Sequence, residues 1–208
     1  MERLQTQHLV INLKRREDRR GEICAELATI GLEPNIFTAI EHEHGIIGCG
    51  MSHLACLKLA QKNSWDYVLI FEDDAAIIDP TTLKVLLGKY LKTDFDVLQL
   101  GCQVRKGTQY HENLIRLHKC YCLHAYIVRR HYYPTFISNL ERGIKLKKKD
   151  VVASQYNCDV YMNQLVKKDK WYCLHPSQAT QRVGYSDNSK AITDMNHLIL
   201  NPRLTSSS

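Results

Sequence analysis

Short apolar runs alternate along the chain with longer segments in which apolar residues recur at helical spacing. The clearest strand pattern is "YVLIF", which begins at Tyr67. The clearest helix pattern follows Asp79, which suits the N-cap, and Pro80, which suits the first turn. Further strands are predicted in segments 8–13, 35–40, 95–101, 114–130 and 170–174, and further helices in segments 15–32, 51–63, 131–142 and 158–168.

This alternation predicts an α/β sandwich whose single sheet is mixed but largely parallel and is flanked by helices. We expect one domain over residues 1–200 and a flexible tail at 201–208. The glycines of "GIIGCG" predict a turn before the helix that begins at Met51, and "KLKKKD" (145–150) predicts a solvated basic loop. The segment 114–130 is long enough for two strands or for one bent strand.

Composition narrows the class of protein. Of the 208 residues, 44% are hydrophobic and 24% are charged, and the net charge is +6. Such a chain can bury a core of its own, and its modest positive charge suits anionic substrates better than it suits a dedicated nucleic-acid binder. The N-terminus is charged from the start, and we find no uncharged apolar run of membrane-spanning length. These patterns predict a soluble, cytoplasmic protein, with peripheral association with a membrane left open.

The eight cysteines are scattered and form no C-x-x-C pair. Their distribution favours reduced, mostly buried thiols in a reducing compartment. The alternative is a zinc site at Cys120, Cys122 and His124, which would share one face of a strand.

Three consecutive carboxylates, Glu72, Asp73 and Asp74, end the apolar run that begins at Tyr67. Like charges this close repel unless a cation or hydrogen-bond donors compensate them. The carboxylates either form a solvent-exposed turn or bind a metal ion, and a metal-bound diphosphate site is the favoured interpretation because no turn residue follows the strand. The basic segment "KRREDRR" (14–20), which follows the first strand, would supply phosphate contacts at the same edge of the sheet.

The chain resembles glycosyltransferase family 25, which includes lipooligosaccharide galactosyltransferases and collagen hydroxylysine galactosyltransferases. The motifs that support the resemblance are "VINLKRREDRR", "FTAI", "GIIGCGMSHLACLKLA" and "VLIFEDDAAI", followed in the same order by "HAYIVRR", "CDVYM" and "GYSDN". They extend over roughly residues 8 to 188, nearly the whole chain.

The resemblance implies a GT-A fold, a UDP-sugar donor, with UDP-galactose as the favoured one, a divalent cation (Mn²⁺ or Mg²⁺), a glycan or glycoconjugate acceptor and inversion at the anomeric carbon. Asp73 and Asp74 would form a DxD-type motif that contacts ribose and metal, with Asp74 preferred as the direct ligand. Ser52 and His53 would open the helix beside the donor. The residues implied near the nucleotide are Asn12, Arg15, Arg16 and Arg19.

Three further site residues are expected. His175 is a candidate for completing the metal shell from a C-terminal segment, or is simply a residue at a strand end. Asp159 is the candidate catalytic base, or else caps the helix that it begins, and Asp187 is the second candidate base. His53 could equally be a packing histidine, and the arginines could be the solvated start of a helix.

Two other functions remain open from the residues alone. A metal-dependent phosphohydrolase or nuclease would also use clustered carboxylates, but it usually needs further ligands for a second metal. An inactive sugar-binding relative would keep the fold without the chemistry. The sequence indicates neither the acceptor nor the oligomeric state.

Overall fold

The computed structural model of the chain describes residues 7–187 and 190–205. Its strands are β1 (His8–Asn12), β2 (Ile36–Thr38), β3 (Tyr67–Glu72), β4 (Ala75–Ile77), β5 (Val97–Gln99), β6 (Gln103–His111), β7 (Leu114–Tyr121), β8 (Ala125–Arg129), β9 (Trp171–Leu174), β10 (Ala179–Gln181), β11 (Gly184–Ser186) and β12 (Ala191–Thr193). Its α-helices are α1 (Glu17–Thr29), α2 (Gly45–Lys62), α3 (Pro80–Tyr90), α4 (Tyr133–Lys149), α5 (Cys158–Tyr161), α6 (Asn163–Val166) and α7 (Asn196–Leu200).

Eight strands form the main sheet, in the order β2-β1-β3-β8-β5-β9-β7-β6. Their pairings show that β8 and β7 run against the direction shared by the other six strands. The predicted mixed, largely parallel sheet is therefore confirmed. Two-stranded sheets, β4 with β10 and β11 with β12, extend the structure beyond the end of β3.

Helices cover both faces of the sheet, as the sequence pattern predicted. On one face, Ile23 and Leu27 of α1 and Leu83 of α3 join a buried core with Leu69 and Phe71 of β3. The opposite core is built from α2, α4, α5 and α6, and it includes Val68 and Ile70 of β3. Successive residues of β3 thus face opposite layers, as the alternation of a strand requires.

The start of α2 was predicted wrongly. The helix begins at Gly45, with His44 at its N-cap, rather than at Met51. The glycines serve packing here, because a Cβ at Gly48 would lie 2.5 Å from the carbonyl oxygen of Ile40. Gly48 therefore lets the helix backbone approach the segment that follows β2.

The predicted basic loop at 145–150 is also wrong, because α4 continues to Lys149. Lys147 is buried, and its ammonium group donates a hydrogen bond to the carbonyl oxygen of Ala153. The long segment 114–130 forms two strands, which are separated near Cys122, a residue with a positive φ of 73°.

Part of the predicted tail contacts the sheet. The amide of Arg203 donates to Val104 of β6, and the amide of Thr205 donates to Gly107. These bonds place 203–205 against β6, whereas residues 206–208 lie outside the described part of the chain. Within the described residues, none of the helices combines the length and the apolar character that crossing a membrane requires.

Candidate active site

A cavity of about 400 Å³ opens where β1, β2 and β3 end. These strands are parallel neighbours, so their carboxyl ends meet at one edge of the sheet, where ligands bind in open α/β sheets. Basic and acidic side chains border the cavity on this side, namely Arg15, Arg19, Glu72, Asp73 and Asp74. The C-terminal segment contributes Gln181, Tyr185, Ser186, Asp187, Lys190 and Thr193 to the lining.

Asp73 and Asp74 have different hydrogen-bond partners. Oδ2 of Asp73 accepts a 2.8 Å hydrogen bond from the amide of Asn12, and its Oδ1 lies 3.0 Å from Nη1 of Arg19. The same Arg19 nitrogen lies 3.3 Å from Oδ2 of Asp74. Oδ1 of Asp74 is buried and has no hydrogen-bond partner among the described residues.

Burial makes the negative charge of this pair costly. Burial raises the pKa of Asp73, even though Arg19 and Asn12 oppose that shift. For Asp74, burial and then the charge of Glu72 raise the pKa to about 7. A pair of hard carboxylate oxygens, one of them without a partner, fits a divalent cation such as Mn²⁺ or Mg²⁺.

Three of the four arginines after β1 are held by carboxylates and by the C-terminal segment. Arg15 lies 2.6 Å from Glu41 and 3.0 Å from Asp187. Arg16 is 2.8 Å from the other oxygen of Asp187, and Arg19 donates a 2.7 Å hydrogen bond to the carbonyl oxygen of Tyr185. Asp187 thus joins two arginines, one of which, Arg15, lines the cavity.

Asp187 is an ionised carboxylate in this arrangement. Burial alone would raise its pKa, but the hydrogen bonds and charges of Arg15 and Arg16 lower the pKa below its usual value. A carboxylate whose charged form is stabilised in this way is a weak proton acceptor.

Ser52 and His53 lie inside α2 and do not open the helix as predicted. Ser52 lines the cavity, and its hydroxyl donates to the carbonyl oxygen of Gly48 and accepts from the amide of Ile40. These bonds fix the helix to the segment after β2. His53 is buried and does not line the cavity.

The ring of His53 connects the core to Glu72. Its Nε2 lies 3.0 Å from Oε1 of Glu72, and its Nδ1 lies 2.9 Å from the hydroxyl of Tyr126. The thiol of Cys49 is 3.7 Å from the same Glu72 oxygen. Burial alone would raise the pKa of Glu72, but the hydrogen bond and charge of His53 lower it.

Cys49, His53 and Glu72 also bring three potential metal-ligating atoms within 4.8 Å of one another. The hydrogen bonds among these side chains account for the cluster without a metal ion. Within the described residues, Cys120, Cys122 and His124 do not form such a group, so the alternative zinc site finds no support.

His175 lies away from the cavity lining. It follows β9, and its backbone exchanges hydrogen bonds with Asn113, next to the start of β7. Asp159, the candidate base, lies in α5, and its carboxylate accepts a 3.3 Å hydrogen bond from the amide of Cys122. Burial raises the pKa of Asp159, and the helix N-cap is Asn157. Like His175, Asp159 is not among the residues that line the cavity.

Two features of the cavity were missed from the sequence. Glu72 was treated as one member of an acidic triplet, although strand alternation places it on the face of Val68 and Ile70, towards α2. The alternation of the strand could therefore have predicted the face on which Glu72 lies. The contact between Tyr185 and Arg19 joins residues 166 positions apart and had no local signal.

Comparisons with known proteins bear on the family and the fold of the chain. The family profile described as glycosyltransferase family 25 (LPS biosynthesis protein) matches residues 43–188. None of the curated proteins matches the chain significantly.

Several solved structures are similar to this chain at low sequence identity. Mannose-1-phosphate geranyltransferase from Thermus thermophilus is 10% identical, with a TM-score of 0.51 over 82% of this chain and 74% of that one. A197 from STIV is 13% identical over 99% of this chain and 98% of its own, with a TM-score of 0.48. The glycosyltransferase GlyE from Streptococcus pneumoniae is 12% identical, with a TM-score of 0.47 over 82% of this chain and 45% of that chain. The first of these similarities supports the GT-A fold.

Proposed function

The chain belongs to glycosyltransferase family 25, and we propose that it is an inverting, metal-dependent enzyme that uses a UDP-sugar. The donor in this proposal is UDP-galactose, and the acceptor is a hydroxyl of a glycan, a lipooligosaccharide or a hydroxylysine-type group. The observation that supports this proposal most strongly is the pairing of Asp73 and Asp74 with Arg19 in one cavity at the carboxyl edge of the sheet.

Asp73 and Asp74 are the residues proposed to hold the divalent cation. The buried, unpartnered Oδ1 of Asp74 supports its role as the direct ligand, within the part of the chain that the structure describes. Asn12 fixes the carboxylate of Asp73 through a 2.8 Å hydrogen bond and so orients the pair. A bound divalent cation neutralises phosphate charge on the leaving group. His175 is left out of this ligand set because it does not line the cavity.

Arg15, Arg16 and Arg19 are proposed to bind the diphosphate. Guanidinium groups bind phosphate oxygens through paired, charge-assisted hydrogen bonds. In the structure, Arg15 and Arg16 bind Asp187 instead, so the donor must compete with this carboxylate. Ser52 supports the site indirectly, by fixing the segment after β2 that forms part of the cavity wall.

Asp159 is the proposed base that accepts the proton of the attacking hydroxyl. It does not itself line the cavity, but it lies close enough to Glu72, which does, for the charge of Glu72 to contribute to its raised pKa. Its raised pKa supports this role, because a carboxylate with a higher pKa is a stronger proton acceptor. Asp187 is the weaker candidate, since two arginines stabilise its ionised form. Inversion follows if the hydroxyl attacks the anomeric carbon from the side opposite UDP.

The proposal is tested by thermal unfolding with a panel of nucleotides. A ligand that binds only the folded state raises its stability by mass action. UDP with Mn²⁺ is expected to raise the melting temperature, whereas GDP with Mn²⁺ and a short DNA duplex are not. A shift with GDP as large as the shift with UDP would contradict the proposed donor.

A further inference from the structure

Glu72 occupies a position in the cavity that the metal and phosphate roles do not use. It is the last residue of β3, and it lies on the face of the sheet that α2 covers. Its side chain is 23% exposed and borders the cavity, whereas the ring of His53 behind it is 1% exposed. One side of this carboxylate therefore meets the core and the other meets the cavity.

The core side of Glu72 is held rigidly. Because a carboxylate accepts hydrogen bonds, Nε2 of His53 donates to Oε1, and Nδ1 of His53 forms a 2.9 Å hydrogen bond with the hydroxyl of Tyr126. The thiol of Cys49 donates to the same oxygen. Both rings are buried, so the chain of bonds fixes the orientation of the carboxylate.

The second oxygen, Oε2, has no hydrogen-bond partner within the described part of the chain. Oriented acceptors with one free oxygen at the wall of a cavity are suited to bind a hydroxyl group of a ligand. Glu72 directly precedes Asp73 and Asp74, so a sugar joined to a diphosphate at those aspartates would lie within reach of it.

We propose that Glu72 forms a sugar-binding subsite, in which Oε2 accepts a hydrogen bond from one hydroxyl of the transferred sugar. This inference rests on the proposed function, because its ligand is the sugar of a UDP-sugar donor. His53 and Tyr126 are positioning residues that fix the carboxylate. A site built to bind a hydroxyl rejects an analogue that lacks it by a large factor, so the subsite would select among donor sugars.

The test compares the affinities of UDP and UDP-galactose by calorimetry in the presence of Mn²⁺. In the wild-type protein we expect UDP-galactose to bind more tightly than UDP. Glu72→Gln is expected to reduce this advantage about tenfold, because a hydrogen bond to a charged group is lost, while the affinity for UDP stays within about twofold. Glu112→Gln, on the exposed β6–β7 turn, is the matched control and should keep the advantage.

The variant Tyr126→Phe distinguishes a role of Tyr126 in orienting the carboxylate of Glu72 from a merely structural role. It removes the hydroxyl that fixes His53, so it should reduce the same advantage by a smaller factor than Glu72→Gln without changing UDP affinity. A merely structural role would instead lower the affinities for UDP and UDP-galactose together.

A second measurement needs no variant. Wild-type protein is titrated with UDP-galactose analogues that each lack one hydroxyl, and one of them should lose about tenfold in affinity. Equal binding of all these analogues, or an unchanged advantage in a folded Glu72→Gln variant, would overturn the subsite while leaving UDP binding intact. Failure of UDP itself to bind the wild-type protein would instead overturn the proposed function and the subsite with it.

Discussion

In the proposed function, two arginines and one carboxylate decide how readily the donor enters the cavity. Arg15 and Arg16 share Asp187 as an ion-pair partner, at 3.0 and 2.8 Å. These pairs are partly exposed to solvent, so each contributes little to folding stability and can be exchanged for phosphate contacts. We therefore propose that Arg15 and Arg16 are ligand-binding groups rather than structural ones.

The double variant Arg15→Ala, Arg16→Ala is expected to weaken UDP binding about tenfold or more, because charge-assisted contacts to the ground-state diphosphate are lost. Turnover at saturating donor should change less. Calorimetry and donor kinetics measure the two effects. Arg20→Ala is the control, since Arg20 is an exposed residue of α1, the helix that follows Arg15 and Arg16. An unaltered donor KM in the double variant would contradict the proposal that these arginines bind the donor.

Asp159→Asn distinguishes a base from a structural carboxylate. The asparagine keeps an oxygen that can accept from the amide of Cys122, and it avoids the cost of burying a charge, so the free energy of unfolding should change by less than about 1 kcal/mol. Loss of the base should slow sugar transfer by about 10² or more while UDP affinity stays near normal.

The measurement is UDP release with a glycan or lipooligosaccharide acceptor present, together with thermal unfolding. If the asparagine variant transfers sugar at a near-normal rate, Asp159 only binds the Cys122 amide, and Asp187 becomes the next base to examine.

The sequence predicted part of this site at the residue level. Asp73, Asp74 and Arg19 could be placed together because the ends of parallel strands meet at one edge. The ion pairs of Asp187 could not be predicted, since they join residues more than 170 positions apart and depend on the path of the C-terminal segment.

At the scale of elements, α2 shapes the cavity through a glycine. Gly48 faces the carbonyl oxygen of Ile40 so closely that any side chain would push the helix away from the cavity wall. The sequence pattern predicted the wrong start for this helix, because glycines were taken as turn residues when the structure uses them for close contact.

Gly48→Ala is expected to lower the free energy of unfolding by about 1–3 kcal/mol, because the new Cβ would clash with backbone atoms, which cannot move aside by changing a side-chain rotamer. Gly88→Ala is the matched control: Gly88 is an exposed glycine of α3 with open space around it, and alanine there should stabilise by about 0.5–1 kcal/mol. Chemical denaturation of both variants measures the contrast. A Gly48→Ala variant as stable as the wild-type protein would show that the contact at Ile40 is not required.

Elements whose ends carry clear capping residues were predicted well. For α3, Asp79 accepts hydrogen bonds from the amides of Thr81 and Thr82, as the capping pattern indicated. The basic end of α4 was missed because its lysines predicted a loop exposed to solvent. In the structure the aliphatic part of Lys147 is buried, and only its ammonium group needs a polar partner.

At the scale of the whole molecule, the two faces of the sheet differ in what they pack against. One face, under α1 and α3, is an apolar core, and the other, under α2 and α4, includes the polar chain from Tyr126 through His53 to Glu72. The alternation of strands and helices sufficed to predict these layers. The strand order, with β8 between β3 and β5, required contacts between distant segments that periodicity does not contain.

The most direct test of the central claim is UDP release from UDP-galactose by the wild-type protein and by Asp74→Asn, each with Mn²⁺ and with a chelator. We expect release that depends on Mn²⁺ in the wild-type protein and is lost in the variant, because Asp74 supplies a cavity carboxylate oxygen that has no partner among the described residues. Asp66→Asn, a change of an exposed aspartate, should leave release unchanged. Release by a folded Asp74→Asn variant with unaltered Mn²⁺ dependence would contradict the account.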